Sequence, residues 1–303
     1  MKEYLLGVEE DMENERIDKF VTYALADFSR SYIQKIIESG DLTVNGKTIK
    51  PSYKVRNKDS IVVRCDSVIP DINPEDIPLD ILYEDDDILV VNKPKGMVVH
   101  PAPGHYEHTL VNAVMYHCRD HLSGINGVMR PGIVHRIDKD TTGSLIICKN
   151  DKAHESIAAQ LEKHSINREY LAIVTGVIDK GGVIDKPIGR SASDRKKMCV
   201  NPSGKRAVTH YEVIKNFEHF TLIKCRLETG RTHQIRVHMA SIGHPVAGDT
   251  VYGNGVKTPV DTQGQALHAY MIGFIHPTTR EYIELTAPVP EYFNLFIKLC
   301  EKV

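Results

Sequence analysis

The chain has 303 residues, which suits one large domain or a small domain followed by a large one, and its 41% of hydrophobic residues is enough for a substantial core. Its 38 Lys and Arg against 40 Asp and Glu make it nearly neutral, so the total charge argues neither for nor against a polyanionic partner. The six cysteines are scattered without a C-x-x-C pair, which argues against a zinc ribbon and against a disulfide framework.

Signals for export or membrane insertion are not expected in this sequence. The stretch MKEYLLGVEEDMENE is too acidic and too briefly apolar for a signal peptide. No apolar run approaches the roughly 20 residues of a membrane-spanning helix. We therefore expect a soluble protein in the reducing cytoplasm.

The balance of charge changes abruptly near residue 66. Residues 15–65 contain ten Lys or Arg and six acids, whereas residues 66–87 contain nine acids, three prolines and no basic residue. Such a change is typical of a domain boundary followed by a semi-rigid linker. The sequence predicts a small domain over residues 12–66, a linker over 67–87 and a large domain over 88–303.

The small domain contains a predicted helix. Ser29 can cap its N-terminus, and Gly40 can end it in a left-handed conformation. The apolar face of this helix is formed by Ile33, Ile36 and Ile37.

A β-hairpin is predicted directly after this helix, in LTVNGKTI, because Asn45-Gly46 favours a two-residue turn. Basic side chains surround both elements. This pattern fits either a solvated surface or a phosphate-binding surface. The residues that we select as candidate RNA contacts are Arg30, Lys35 and Lys47.

Strands outnumber helices in the large domain. The predicted strands are DILVVNKP, MVVHP, GSLIICKN, EYLAIVTG, AVTHYEVI, FTLIKCRLE and EYIELTAPV. The predicted helices are TLVNAVMYHC, DKAHESIAAQLEKH and EYFNLFIKLCEK. Because the strands do not alternate regularly with helices, we expect an α+β fold on a mixed or antiparallel sheet.

Asp138 is the most informative candidate for chemistry. It stands between Arg136 and Lys139 in HRIDKDTTG, where nearby positive charge favours an ionised carboxylate that can act as a nucleophile or base. A structural ion pair at a strand end is an equally good interpretation of these residues alone. A glycosidase pair with Asp140 is disfavoured, because two acids on one loop are poorly placed to reach opposite faces of a sugar.

Metal and nucleotide sites are not expected. His233 and His238 are spaced H-x-x-x-x-H, without the spacing or the glutamate of a helical zinc site. GNGV around Gly253 lacks a dinucleotide-binding fingerprint, and no phosphate-binding loop motif is present. His135 fits a packing or orienting role better than that of a ligand or base.

Two parts of the sequence resemble known families. RIDKFV, SRSYIQKIIESGDLTVNG and YKVRNKDSIVV resemble the small RNA-binding domain first known from ribosomal protein S-four, in which two short helices precede a β-hairpin. HRIDKDTTGSLIICK, REYLAIV, TGRTHQIRVHMASIGHPVAGD and ALHAYMIGFIHP resemble the motif series of the RluA-type pseudouridine synthases, and are closest to the RluD-like branch. Together the two resemblances cover roughly residues 12–295.

The second resemblance implies an enzyme that converts uridine in RNA to pseudouridine without a cofactor. It implies that Asp138 is the catalytic aspartate, that Tyr170 is the tyrosine that stacks on the uracil, and that Arg236 pairs with the aspartate. Arg231 would bind phosphate or support the site, and Arg136 would fill the space left by a flipped nucleotide. His135 is grouped with these expected RNA-binding residues.

We expect large-subunit ribosomal RNA as the substrate and a monomeric enzyme. Transfer RNA remains an alternative substrate. Two other interpretations stay open, namely an RNA-binding ribosome-assembly factor whose catalysis is dispensable and a hydrolase acting on free nucleosides.

Overall fold

The structure is a computed structural model, and it describes residues 2–8, 10–25, 28, 30–65, 72–101, 106–119, 121–125, 131–191, 194, 197–253 and 255–301. The chain forms two compact units. The first comprises Met1–Leu79, Val98–Val134 and Cys148–His154, and the second comprises Asp80–Met97, His135–Ile147 and Glu155–Val303. The boundaries of these two units do not coincide with the predicted domain boundaries at residues 66 and 87. The predicted boundaries therefore stay a prediction.

Helices and strands both occur throughout the described residues. The helices are α1 (Ile17–Ala24), α2 (Arg30–Ser39), α3 (Leu110–Cys118), α4 (Asp151–Glu162), α5 (Gln234–Ser241) and α6 (Glu291–Cys300). The strands are β1 (Lys2–Gly7), β2 (Leu42–Val44), β3 (Lys47–Thr48), β4 (Ser60–Cys65), β5 (Ile81–Glu84), β6 (Ile88–Lys93), β7 (Thr142–Cys148), β8 (Asn167–Thr175), β9 (Gly182–Asp185), β10 (Ile188–Arg190), β11 (Met198–Val200), β12 (Val208–Asn216), β13 (Phe220–Leu227), β14 (Leu267–Ile275) and β15 (Tyr282–Thr286). In the described part of the chain, no helix has the length and apolar character needed to cross a membrane.

The first unit contains a four-stranded sheet in the order β1-β4-β2-β3, with α1 and α2 packed on a shared core. The three isoleucines predicted to form the apolar face of α2 are buried. Gly40 has a φ of 83° after α2, and Asn45 and Gly46 have φ of 51° and 75° between β2 and β3. The predicted helix end and hairpin turn are therefore confirmed, whereas Ser29 lies outside the described residues.

A buried carboxylate joins the two helices of the first unit. Asp18 on α1 is fully buried and accepts hydrogen bonds from Arg16, Arg30 and Gln34. Burial opposes ionisation, but these hydrogen bonds hold the pKa of Asp18 well below its usual range. The N-terminus of α2 is thereby fixed against α1, and the guanidinium of Arg30 takes part in this contact.

The second unit is built on a mixed sheet with the strand order β5-β6-β7-β14-β8-β13-β12-β9, in which β15 also pairs with β14. Within the described residues this makes nine strands, with β10 and β11 forming a separate pair. The β7–β14 pair is parallel, and β8 pairs antiparallel with both β13 and β14. The predicted α+β class and mixed sheet are confirmed.

One predicted strand is wrong, and six elements of the second unit were not assigned from the sequence. MVVHP forms no strand, because Val98 and Val99 use their carbonyls to accept the N–H groups of Leu110 and Val111 at the start of α3. The unassigned elements are β5, β9, β10, β11, α5 and β14.

Gly143 permits the close approach of β7 and β14. It has a φ of 112°, and a Cβ atom added to it would lie 2.2 Å from the carbonyl oxygen of Ala269. A side chain at this position would therefore combine an unfavourable backbone conformation with overlap against a neighbouring strand.

Gly143→Ala is expected to lower the free energy of unfolding by at least about 2 kcal/mol, from backbone strain and overpacking together. The measurement is the midpoint of urea denaturation. Gly124→Ala is the control, because Gly124 has an ordinary φ and open space around its Cα. Equal midpoints for the two variants would contradict this account of Gly143.

Candidate active site

Three segments that are distant in the sequence meet around Asp138. Asp138 lies in the loop before β7, Tyr170 lies on β8, and Arg236 lies on α5. Arg236 Nη1 donates a 2.8 Å hydrogen bond to Asp138 Oδ2, and the charge of Asp138 acts on the hydroxyl group of Tyr170. The structure thus brings the three predicted catalytic residues together in the second unit.

The guanidinium of Arg236 is shared by two carboxylates. Besides Asp138, it binds Asp249 through two hydrogen bonds, Nε to Oδ2 at 2.7 Å and Nη2 to Oδ1 at 3.0 Å. Burial opposes the charge, but the hydrogen bonds and charges of the two acids raise the pKa of Arg236 above its usual range. Arg236 therefore presents a permanent cation to Asp138.

Asp249 holds Arg236 in place from the protein interior. Its side chain is fully buried, and Oδ1 also accepts the backbone N–H groups of Val251 and Tyr252 at 2.8 and 3.0 Å. Burial alone would raise its pKa, but the hydrogen bonds and charge of Arg236 lower it. Asp249 is missing from the residues predicted from the sequence, although it is the acid that ends the motif GHPVAGD.

The N-terminus of α5 is positioned by Gln234. Its Oε1 accepts hydrogen bonds from the hydroxyl of Thr229 and the N–H of Arg231, and its Nε2 donates to the carbonyl of Val208 and the hydroxyl of Thr209. All four hydrogen-bonding positions of the buried amide are used. This network fixes α5, and with it Arg236, against the end of β12.

His233 precedes α5 and faces Asp138. Its φ of 57° is unusual for a residue with a side chain. Its Nε2 lies 3.8 Å from Asp138 Oδ1, and its Nδ1 lies 2.8 Å from the hydroxyl of Tyr252, which accepts the N–H of Met198. Burial lowers the pKa of His233, which makes it a neutral ring beside the carboxylate.

His238 has no free nitrogen for a metal ion. Its Nδ1 is paired with the hydroxyl of Thr209 and its Nε2 with the carbonyl of Lys186. Across the described residues, no group of three or more His, Cys, Asp or Glu side chains could hold a metal ion.

Two polar side chains of β8 lie on the same buried face. Arg168 and Tyr170 are each 8% exposed, and residues two apart on a strand point the same way. Burial raises the pKa of Tyr170, an effect that Arg168 opposes and Asp138 reinforces. The phenol is therefore neutral at physiological pH. Arg168 is not among the residues predicted from the sequence.

Lys93 supports the loop that carries Asp138. It is fully buried at the end of β6, and its Nζ donates hydrogen bonds to the carbonyls of Pro94, Met97 and Lys139 at 2.7, 2.8 and 2.9 Å. Burial lowers the pKa of Lys93 to about 7, although the nearby acids oppose this effect. The peptide group between Lys139 and Asp140, just after Asp138, is thus tied to the end of β6.

The predicted RNA contacts of the second unit differ in their surroundings. His135 Nε2 accepts the N–H of Ile146 at 2.9 Å, and burial together with Arg168 lowers the pKa of His135 to about 3. This position fits an orienting role, and the expected RNA contact of His135 stays a prediction. Arg136 is exposed, and Arg231 is partly buried with its Nε donating to the carbonyl of Arg206 at 3.1 Å.

The predicted RNA contacts of the first unit lie on its surface. Lys35 is exposed on α2, and Lys47 is exposed at the hairpin turn. Arg30 keeps about half of its side chain exposed while binding Asp18. These three residues stay predicted RNA contacts.

Known families match both parts of the chain. The family described as RNA pseudouridylate synthase matches residues 87–241, and the S4 domain matches residues 15–61. In fold, the chain is similar to human RNA pseudouridylate synthase domain containing 1, with a TM-score of 0.56 and 24% identity, over 75% of this chain and 96% of the other.

Two relatives match along nearly the whole chain. An RNA pseudouridine synthase of Bacillus subtilis, called YlyB and uncharacterized, is 53% identical and covers 96% of each chain. The ribosomal large subunit pseudouridine synthase D of Zymomonas mobilis is 47% identical, over 96% of this chain and 95% of the other.

Asp249→Asn is expected to destabilise the protein, because it leaves the buried Arg236 without its bidentate partner. Breaking a buried ion pair costs about 3–5 kcal/mol, which urea denaturation at neutral pH would measure. Asp179→Asn, which changes an exposed acid, is the control. A variant of Asp249 as stable as this control would contradict the bridging role.

The same variant has an expected pH dependence. The folded-state pKa of Asp249 lies below its ordinary value of 3.8, so its stabilisation is fully present above that value and is lost as the pH falls through the lower folded-state value. The stability difference between wild type and Asp249→Asn should therefore narrow as the pH is lowered from about 5 towards about 2. A difference that stays constant over this range would contradict the pKa shift.

Proposed function

Because the chain belongs to the RNA pseudouridylate synthase family, we propose that it isomerises uridine to pseudouridine in large-subunit ribosomal RNA. Membership of this family identifies the chain as an RNA pseudouridine synthase. The ribosomal substrate is supported by the relative named ribosomal large subunit pseudouridine synthase D and by the S4 domain. The observation that carries the proposed mechanism is the Asp138–Arg236–Asp249 arrangement.

The reaction breaks the bond between ribose C1′ and uracil N1, turns the base and joins C1′ to uracil C5. The C5 proton is lost and N1 gains a proton, so no atoms are added or removed overall. Neither an energy source nor a redox partner is needed. The sequence-based expectation of a monomeric, cytoplasmic enzyme without a cofactor stays a prediction.

Asp138 is the proposed catalytic residue. Arg236 donates a hydrogen bond to Asp138 Oδ2, whereas Asp138 Oδ1 accepts no hydrogen bond from the described residues. Oδ1 is therefore the oxygen that can react. A carboxylate suits attack on either the sugar or the base, since it is a nucleophile and, once protonated, a good leaving group. Arg236 orients this carboxylate, and Asp249 orients Arg236.

Tyr170 and Arg136 have proposed roles on either side of the reacting base. The buried ring of Tyr170 can stack on the uracil, and its neutral hydroxyl can carry a proton near C5. A uridine stacked in RNA must be flipped out to reach Asp138. The exposed Arg136, two residues before Asp138, can fill the space that the base leaves.

Asp138→Asn is expected to abolish pseudouridine formation while RNA binding survives, because the amide is not a nucleophile. The measurement is carbodiimide-blocked primer extension on ribosomal and transfer RNA from cells without the gene, complemented with either form. Asp140→Asn is the matched control and should restore modification. Restoration by Asp138→Asn would contradict the catalytic role.

The same mapping identifies the substrate. Loss of sites in the large-subunit RNA supports the proposal, whereas loss confined to transfer RNA would replace the proposed substrate. If no site changed in either RNA, an RNA-binding assembly factor would be the better interpretation.

Lys35→Glu combined with Lys47→Glu is expected to weaken RNA binding and to flatten its salt dependence, because each phosphate contact contributes about one unit to the salt slope. The rate constant at saturating enzyme should not change. Filter binding across a salt series would measure the dissociation constant and its salt dependence. Lys163→Glu, an exposed charge reversal after α4, is the control. An unchanged dissociation constant in the double variant would contradict RNA binding by this surface.

A further inference from the structure

Arg168 is a buried cation beside the candidate active site. It lies two residues before Tyr170 on the same face of β8 and is 8% exposed. Its charge also acts on His135, three residues before Asp138. Its Nη1 approaches Gly230, where an added Cβ would lie only 2.6 Å away. The guanidinium thus lies beside Gly230, in the loop that leads into α5, and its charge reaches the segment that carries Asp138.

No acid within the described residues neutralises this cation. Arg168 forms no salt bridge there, and its buried Nε has no hydrogen-bond partner. The groups whose charges act on it are Tyr170, which is neutral when protonated, and Arg231, which repels it. In contrast, the other buried arginine of the site, Arg236, contacts two carboxylates.

A buried and unpaired guanidinium is costly, and buried charges in proteins are normally paired. Loss of water with no compensating charge lowers the pKa of Arg168. Such an arrangement is useful when the compensating charge arrives with the substrate or develops during the reaction, because the cation is then already oriented towards it.

From this geometry we infer that Arg168 stabilises the negative charge that uracil acquires when its glycosidic bond breaks. The inference rests on the proposed function and adds a catalytic residue to it. On the route in which Asp138 attacks the sugar, Oδ1 bonds to C1′ as the C1′–N1 bond breaks. The electron pair of the broken bond stays with N1 and spreads to the O2 and O4 oxygens, which gives the uracil anion. A guanidinium N–H donates a hydrogen bond to one of these oxygens. When C5 bonds to C1′, the ester bond breaks and the negative charge returns to the Asp138 carboxylate. The C5 proton then leaves and N1 is protonated.

A phosphate of the RNA backbone is the other anion that could pair with Arg168. The position favours the base, because Arg168 shares its buried face with Tyr170, the residue proposed to stack on uracil. A phosphate contact would strengthen binding before and during the reaction alike, whereas stabilisation of the uracil anion would act on the rate alone.

Arg168→Met tests the inference in single-turnover reactions with excess enzyme, using an RNA segment whose uridine the wild type modifies. Nucleoside mass spectrometry gives the rate constant, and filter binding gives the dissociation constant. We expect the rate constant to fall about 10²-fold, as for the loss of one oxyanion-hole donor, with the dissociation constant unchanged. Arg168→Lys should retain more of the rate, because it keeps the charge.

A second substrate separates charge stabilisation from a general disturbance of the site. Fluorine at C5 withdraws electrons and stabilises the uracil anion, so 5-fluorouridine RNA should depend less on Arg168. The ratio of wild-type to variant rate constants for C-glycoside formation is therefore expected to be smaller for this RNA than for uridine RNA. Equal ratios would overturn the inference.

Two controls complete the experiment. Arg226→Met, on the exposed side of the neighbouring β13, should leave both constants unchanged. The melting temperature of Arg168→Met should equal or exceed that of the wild type, because an unpaired buried charge is replaced by an apolar side chain.

Three further results would overturn the inference: weaker binding at an unchanged rate constant, no change in either constant, or a lowered melting temperature. The first would assign Arg168 to a phosphate, and the last would assign it to an internal partner. If the wild type itself formed no pseudouridine in any RNA, the proposed function would fail instead.

Discussion

The shared guanidinium of Arg236 is the interaction on which the site depends. One cation faces two carboxylates of different character, since Asp249 is fully buried with backbone N–H groups as further donors and Asp138 remains partly exposed. The buried acid fixes the position of the arginine, and the arginine fixes the exposed acid. Because α5, the loop before β7 and the loop after Val246 each contribute one member, three segments of the second unit must fold correctly before the carboxylate is oriented.

Sequence patterns predicted the turns, helices and strands whose conformation depends mainly on residues close by in the sequence. Gly40 and Asn45-Gly46 were recognised because their positive φ angles need residues with little steric hindrance. The isoleucines of α2 show helical spacing, and the long strands of the second unit carry continuous apolar runs, as buried strands do. Asp138 was selected because positive charges flank it in the sequence, whereas Tyr170 and Arg236 came from a motif resemblance, because periodicity says nothing about chemistry.

The elements that were missed depend on tertiary contacts. In α5 the sequence QIRVHMAS alternates polar and apolar residues as a strand does, yet nearly every side chain is buried. Its polar residues are satisfied by distant partners, His238 by Thr209 and Gln234 by Thr229 among others, and no local pattern encodes these pairs. The prediction of a strand in MVVHP was wrong for a related reason, because carbonyls of this segment accept hydrogen bonds from N–H groups at the start of α3. Asp249 becomes conspicuous only through its burial and its pairing with Arg236, and Arg168 only through burial without an acidic partner among the described residues.

The three backbone carbonyls that accept hydrogen bonds from Lys93 Nζ affect the chemical reactivity of this lysine. An amine with a pKa near 7 is normally the most nucleophilic lysine of a protein, because much of it is unprotonated at neutral pH. The low pKa of Lys93 comes with complete burial and with hydrogen bonds from Nζ to three carbonyls. Burial and these carbonyls also block every path by which a reagent could reach Nζ. Acylating reagents and acetyl donors would therefore leave Lys93 unmodified in the folded chain. Its modification would report unfolding around the Asp138 loop rather than an intrinsic reactivity.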